Sequence, residues 1–342
     1  MKNIVLGKTG IITAQNGFGA LPVQRVDMEA AVKLLRRAYD GGFRFFDTAR
    51  AYSDSEEKLG EAFGGSVRDS IIIASKTQAK TADKLWEDLH TSLRNLRTDH
   101  LDIYQLHCAD RCYRPGDGSG LYEAMLEAKE QGKILHIGIT AHKIGVAEEI
   151  AGSGLYETLQ FPFNYLATDR DIALVKKCAE NDVGFIAMKG LSGGLLNNFR
   201  ACAAFMAQYD SVLPIWGIQR EAELDQWLSC FEETPVMDEK LQKIIDKDRA
   251  ELLGEFCRGC GYCMPCTVGI QINQCARMAQ MIRRSPSAGF LGVFWQKEME
   301  KIDDCINCRA CLARCPYELD IPALLRRNLE DYRNILSGRT TI

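Results

Sequence analysis

"TADKLWEDLHTSLRNLRT" (residues 81–98), followed two residues later by "LDIYQLH" (101–107), decides the architecture. In the first stretch Leu85, Leu89, Leu93 and Leu96 recur at helical spacing, which predicts an amphipathic helix with one apolar face. The second is a short apolar run of strand length. Working outward, the same alternation extends from residue 14 to about 230, with strand candidates "NGFGAL" (16–21), "FRFFDTA" (43–49), "SIIIASK" (70–76), "LDIYQLH", "ILHIGIT" (134–140), "ETLQFPF" (157–163), "VGFIAMK" (183–189) and "SVLPIWG" (211–217). Ser53 and Glu56 have the spacing of a capping box ahead of the helical "EKLGEAF". Eight strand–helix units predict an α/β fold, a parallel (β/α)8 TIM barrel, because parallel neighbours need crossover helices and eight strands close a packed barrel. A doubly wound open sheet is the alternative. Its glycine-rich fingerprint is missing, since "GFGALP" (17–22) starts like GxGxxG but reaches proline without opening a helix.

With 342 residues, 46% hydrophobic and 26% charged, the composition is that of an ordinary globular chain with room for one large core and a smaller module. Forty-two basic against 46 acidic residues leave a net charge of −4 without a long run of either sign, which argues against nucleic-acid or membrane partners. "RMAQMIRRS" (277–285) reads as a solvated helix face. The start "MKNIVLGKTG" lacks a charged leader with an apolar core, and no apolar run reaches the ~18 residues that span a bilayer. A soluble, cytoplasmic protein is expected, its oligomeric state unspecified. After the helical "REAELDQWLSCF" (220–231), the charged "EETPVMDEKLQKIIDKDRAEL" (232–252) reads as a connector. The expected division is a barrel over 1–235, a helical connector over 236–255 and a cysteine-rich domain over 256–342.

A reducing compartment disfavours structural disulfides and leaves clustered cysteines to metals or redox work. Of 14 cysteines, eight fall in "CRGCGYCMPC" (257–266) and "CINCRACLARCP" (305–316). Cys305, Cys308, Cys311 and Cys315 are spaced CxxCxxCxxxCP, the bacterial ferredoxin pattern, whose fourth thiolate ligates the other cluster of a pair. Cys257, Cys260, Cys263 and Cys266 are one residue tighter at the end, with Thr267 where proline is usual. Zinc is the competing reading, since CxxC pairs also build four-thiolate sites. Three cysteines at successive two-residue gaps suit three corners of a cubane, and favour two 4Fe-4S clusters. In the paired arrangement Cys257, Cys260, Cys263 and Cys315 hold one cluster, and Cys305, Cys308, Cys311 and Cys266 the other; the intervening residues, with the helical "QCARMAQMIRR" (274–284), must then fold back. Cys178, Cys202, Cys230 and Cys275 lie in helical patterns and read as packed residues, and packing is also the favoured reading of Cys108 and Cys112.

Active sites of such barrels form at the C-terminal strand ends. Asp47 lies near the end of the second strand with Tyr52 in the following loop, Lys76 ends the third strand, and His107 the fourth. A tyrosine's ordinary pKa near 10 is too high for easy proton exchange at neutral pH, an adjacent ammonium lowers it, and Asp47 can hold Lys76 charged. A neighbouring histidine can hydrogen-bond a substrate oxygen. Together the four suit hydride addition to a carbonyl.

"FDTARAYSDSEEKLGEAF" (46–63), the lysine of "IIIASKT", "YQLH" and the opening "LGKTG" resemble the aldo-keto reductase family over about residues 1–230. The resemblance implies that Tyr52 is the general acid/base, that Lys76 and Asp47 tune it, and that His107 orients substrate. It further implies NADP(H) or NAD(H), with the carboxamide near Thr140, Gln160 and Asn164, the pyrophosphate near Ser192 and Gly194 in "MKGLSGG" (188–194), and the adenosine end near Gln219 and Arg220. The last strand departs from the family pattern: Trp216 precedes Gly217, and Trp227 stands about where an asparagine would lie. The pairing with a two-cluster tail resembles a branch of that family found largely in anaerobes. Nicotinamide moves two electrons at once and a cluster one, so direct coupling needs an intermediary; FMN in the last strand loops is a candidate by fold analogy alone. Expected partners are a small carbonyl or alcohol substrate and a ferredoxin or other redox protein, and an alternative reading makes the barrel a scaffold for electron transfer. "ADRCYRPGDGSG" (109–120) reads as a substrate lid carrying Arg111 and Arg114.

Overall fold

All eight anticipated strands form, and they close a parallel barrel in the order β10-β3-β4-β5-β6-β7-β8-β9, preceded by an antiparallel hairpin of β1 (Asn3–Val5) and β2 (Ile12–Ala14). The barrel strands are β3 (Gly17–Gly19), β4 (Phe45–Asp47), β5 (Ile72–Thr77), β6 (Leu101–Ala109), β7 (Ile134–Ala141), β8 (Thr158–Pro162), β9 (Gly184–Met188) and β10 (Val212–Gly217). The helices that cross between them are α1 (Met28–Asp40), α2 (Ser55–Phe63), α3 (Ala82–Leu96), α4 (Leu121–Glu130), α5 (Ile144–Ala151), α6 (Asp169–Glu180), α7 (Phe199–Met206) and α8 (Glu221–Glu232). The structure, a computed structural model, describes all residues except Ser66, 253–255, Cys260, Ser285, Pro286, Pro316 and Ile342. The chain divides into two compact units, Met1–Gly190 with Phe199–Leu241, and Leu191–Asn198 with Gln242–Ile342. Among the described residues no helix is long and apolar enough to cross a membrane.

The helix that opened the sequence reading is α3. Thr81 caps it by accepting from the Lys84 amide, and Leu85, Leu89, Leu93 and Leu96 are buried on one face. The capping box expected at Ser53 and Glu56 does not form. Helix α2 starts one residue late, after Asp54, with no side-chain cap, because the Glu56 carboxylate turns inward to accept from the Ser75 and Ser92 hydroxyls, each at 2.6 Å, and from Arg50 at 2.7 Å.

The barrel floor is closed by the hairpin, whose Ile4 and Leu6 join a buried cluster of inward residues that includes Phe45, Ala74, Ile103, Ile186 and Leu213. One end is therefore apolar and sealed. In the second unit, α9 (Glu239–Leu252) leads to α10 (Ile272–Cys275), α11 (Met278–Arg284), α12 (Val293–Glu300), α13 (Ala310–Arg314) and α14 (Ile321–Leu336). Helix α14 is the spine of that unit. Leu324, Leu325, Leu329, Tyr332 and Ile335 bury one face against Ile270, Met278, Ile282 and Ile302, and Asn328 bridges the Ala276 carbonyl at 3.2 Å and the Ala279 amide at 2.9 Å.

Because Leu6 is fully enclosed, Leu6→Ala is expected to lower the barrel's unfolding free energy in a urea titration by about 2–5 kcal/mol. Ile12→Ala, at a side chain 65% exposed in the same hairpin, is expected to change it by less than about 0.5 kcal/mol.

Candidate active site and cysteine pockets

Register places the polar residues of the open end. Asp47 pairs with Ala74, Lys76 with Gln105, Gln105 with Gly138, and Thr140 with Gln160, which brings one polar position from each of five neighbouring strands to the same end of the barrel. Lys76 and Asp47 are almost fully buried, and the ammonium donates to Asp47 Oδ1 and to the Thr48 carbonyl, both at 2.6 Å. Gln105 and Gln160 lie at 3.5 Å from the same carboxylate. Burial pushes the Asp47 carboxyl up and the Lys76 ammonium down from their ordinary values, and the attraction between them works against both shifts. Neither charge has another opposite charge in hydrogen-bond contact among the described residues, so each keeps the other ionised.

Tyr52 is carried by a loop that continues the strand ladder. Thr48 N–H donates to the Ala74 carbonyl at 2.8 Å and Arg50 N–H to the Lys76 carbonyl at 3.0 Å, which holds the tyrosine beside the pair. The Lys76 Nζ lies 5.1 Å from the Tyr52 ring centroid, and the His107 ring packs edge-on at 5.7 Å. The expectation that Lys76 lowers the phenol's pKa is not met in this state. Burial, then the Asp47 charge and Cys108, raise it well above 10. Tyr52 is accordingly protonated at neutral pH. His107 is depressed to about 3 by burial and by Lys76, and its Nδ1 has no hydrogen-bond partner among the described residues. A neutral imidazole of this kind can orient an oxygen and does not act as an acid.

The remaining expected positions are spread out. Thr140 is buried and its hydroxyl accepts from the Cys108 amide at 2.7 Å, where Cys108 takes a left-handed φ of 57° at an irregularity in β6. The buried Gln160 leaves Oε1 without a partner among the described residues, an acceptor that fits an amide N–H of a carboxamide. Asn164 is already committed, donating to the Lys189 carbonyl and accepting from the Leu166 amide. Gln219 and Arg220 start α8, both backbone amides donating to Glu223, while the exposed Arg220 guanidinium pairs with the same carboxylate at 3.3 Å. Trp216 and Trp227 stack at 3.9 Å, both buried, with Trp216 against Gly190. Ser192 and Gly194 belong to the second unit. Arg111 and Arg114 pair with Asp117 and Glu149.

Sequence reasoning missed His142, buried just past β7 and held well below its ordinary pKa by burial, Lys189 and His107. It also missed Glu56 as a buried carboxylate beneath Lys76 and placed Cys108 as mere packing, although its thiol acts electrostatically on both Tyr52 and Lys76. Strand-end position alone was a usable signal for His142 and Cys108.

In the second unit, Cys266, Cys305, Cys308 and Cys311 line one cavity together with Cys263, and the Thr267 hydroxyl lies 3.7 Å from the Cys308 sulfur. The Ala310 amide and Thr267 hold the exposed Cys308 thiol below the usual thiol range. Cys257 and Cys263 are buried in the same core against which Cys315 packs, and Arg314 donates to the Met264 carbonyl at 3.1 Å, drawing the second motif onto the first. Cys260 lies outside the described residues. Among the described residues no two cysteines are joined in a disulfide, and no three potential ligands converge on a point that would hold a single metal ion. Four thiols around a shared cavity, with donor types proper to iron, fit the 4Fe-4S group.

The family described as "Aldo/keto reductase family" matches residues 13–204 and a "4Fe-4S dicluster domain" matches 256–320; the chain belongs to the aldo/keto reductase family. The Bacillus subtilis protein named aldo-keto reductase YhdN is 26% identical over 214 residues, 57% of this chain and 64% of that relative. The Salmonella typhi protein named methylglyoxal reductase DkgB is 33% identical over 132 residues, 36% of this chain and 48% of that relative. This chain thus spans less than two thirds of either relative's length. An aldo-keto reductase from Klebsiella pneumoniae in complex with NADPH superimposes with a TM-score of 0.59 at 22% identity, over 72% of this chain and 95% of that one, a likeness of fold.

In an NMR titration the His107 imidazole, assigned by its loss in His107→Asn, is expected to keep neutral-form shifts down to about pH 4; a midpoint near 6.5 would contradict the site geometry. The sign for stability follows. The unfolded chain, with the ordinary value of 6.5, takes the proton first on acidification, so this residue weakens the fold as pH falls from 6.5 toward 3 and has no such effect above that window.

Proposed function

We propose that the barrel reduces the carbonyl of a small molecule, or oxidises the corresponding alcohol, with NADP(H) or NAD(H) as hydride carrier and Tyr52 as proton donor. The observation that carries this reading is the protonated Tyr52 phenol set between neutral His107 and the buried Lys76–Asp47 pair. When bound, the nicotinamide supplies a hydride to the carbonyl carbon. His107 holds the substrate oxygen, and as negative charge develops there Tyr52 O–H delivers its proton. At neutral pH the phenol carries its proton, the form that reduction requires. Lys76 then steadies the phenolate that remains, its own charge kept by Asp47. Gln160 Oε1 and the Thr140 hydroxyl are the groups that would hold the carboxamide.

The eight motif cysteines are proposed to ligate two 4Fe-4S clusters in the crossed arrangement, serving as one-electron carriers toward a ferredoxin or another redox protein in the cytoplasm. A second reading, the barrel as a scaffold for electron transfer, is favoured by two features: Asn164 spends its amide within the barrel, and Arg220 is paired with Glu223. It requires clusters that a protein partner reduces and no nicotinamide-linked turnover.

Under anaerobic conditions with an aldehyde and ketone panel, Tyr52→Phe is expected to lose about 10²–10⁴-fold in kcat for NAD(P)H-linked reduction while iron and sulfide content stay unchanged. Full activity in that variant would remove the proton-transfer role.

A further inference from the structure

Arg277, at the turn into α11, is only 5% exposed, yet no carboxylate pairs with it among the described residues. Its Nη2 donates to the Gly193 carbonyl at 2.7 Å and touches the Met281 sulfur at 2.9 Å, while Nε has no partner among the described residues. The other arginines of this segment are compensated: Arg283 forks onto Asp331, and Arg284 reaches Asp248 and Glu251. An isolated buried cation costs several kcal/mol unless an opposite charge faces it. The surroundings show where that charge belongs. Burial lowers the guanidinium's affinity for its proton and the electrostatic influence of Cys257 opposes that shift, so the two groups lie within each other's field. A side-chain carbon added at Gly259, two residues past Cys257, would come to 2.5 Å from Nη1, and one at Gly193 to 2.9 Å from the same nitrogen. Both glycines have left-handed φ of 67°. The guanidinium is thus wedged between the first cysteine loop and the "GLSGG" turn, with room for no other side chain.

We propose that Arg277 is a positioning residue for the cluster built on Cys257: it is that cluster's buried counter-ion and raises its reduction potential relative to the cluster built on Cys305. A four-thiolate 4Fe-4S cluster is an anion that gains one further negative charge on reduction, so a fixed cation in a low-dielectric pocket favours the reduced form. Arg258 cannot replace it, since its guanidinium lies over the Phe256 and Tyr317 rings and is only half-buried. The same hydrogen bond to Gly193 makes the conformation of the Leu191–Asn198 turn depend on the cysteine loop.

The test is an EPR-monitored redox titration of the full chain, with iron and sulfide content measured on each sample. The iron and sulfide of the wild type report separately whether the cluster assignment stands. In Arg277→Gln, one of two midpoints is expected to fall by at least a tenfold change in the reduction equilibrium, about 59 mV for one electron, with the other unmoved. Arg283→Gln, which removes an exposed ion pair in α11, is expected to move neither. If Arg277→Gln does not retain iron through purification, Arg277→Lys carries the test. It keeps the charge without the fork, so its midpoint is expected to stay within a twofold change of the wild type. Two unmoved midpoints in a fully loaded Arg277→Gln, or a tenfold shift in Arg277→Lys, would overturn the proposal.

Discussion

The ion pair between Lys76 and Asp47 is the constraint around which the barrel mouth is organised. Two charges taken out of water are tolerable only when they face each other and their remaining hydrogen-bonding capacity is met, and here the Thr48 carbonyl and the Gln105 and Gln160 amides meet it. The pair and those groups lie on or just beyond four strands, so the pair depends on the closed parallel register, and removing either partner would strand a buried charge at a cost of about 3–5 kcal/mol. The sealed apolar floor under Ile4 and Leu6 keeps the other end dry. Glu56 extends the network one layer outward, held by two serines and Arg50, and its charge reaches Lys76.

With that pair beside it, Tyr52 stays protonated at neutral pH. The lysine lies under the ring face, but burial dominates the phenol and the Asp47 charge adds to it. His107 is kept neutral by the same ammonium and the same burial. Tyr52, His107 and the Lys76–Asp47 pair thus have distinct protonation states at neutral pH, as the proposed carbonyl reduction requires.

The alternation of helix and strand made the barrel legible, because Leu85, Leu89, Leu93 and Leu96 could satisfy no other period, and each strand run fell within a residue or two of its place. That Asp47, Tyr52, Lys76 and His107 gather at one end of the barrel was legible because strand-end position in such a barrel is set by topology. What escaped were residues whose role comes from long-range packing. Glu56 had the local spacing of a helix cap and was drawn instead into a buried network by Ser75 and Ser92, residues distant in sequence. Arg277 read as part of a solvated basic face; nothing in "RMAQMIRRS" separates it from Arg283 and Arg284, yet the fold buries it against Gly193 and Gly259. The "GLSGG" turn read as part of the barrel and groups with the cysteine-rich unit.

The central proposal is that substrate is reduced by hydride in the barrel, with one-electron carriers in the cysteine-rich unit. The most direct measurement is anaerobic turnover of an accepted carbonyl with nicotinamide deuterated at C4, followed by mass spectrometry of the alcohol. The account predicts deuterium on the carbinol carbon, from one face of the nicotinamide only. An alcohol carrying solvent hydrogen at that carbon would contradict it.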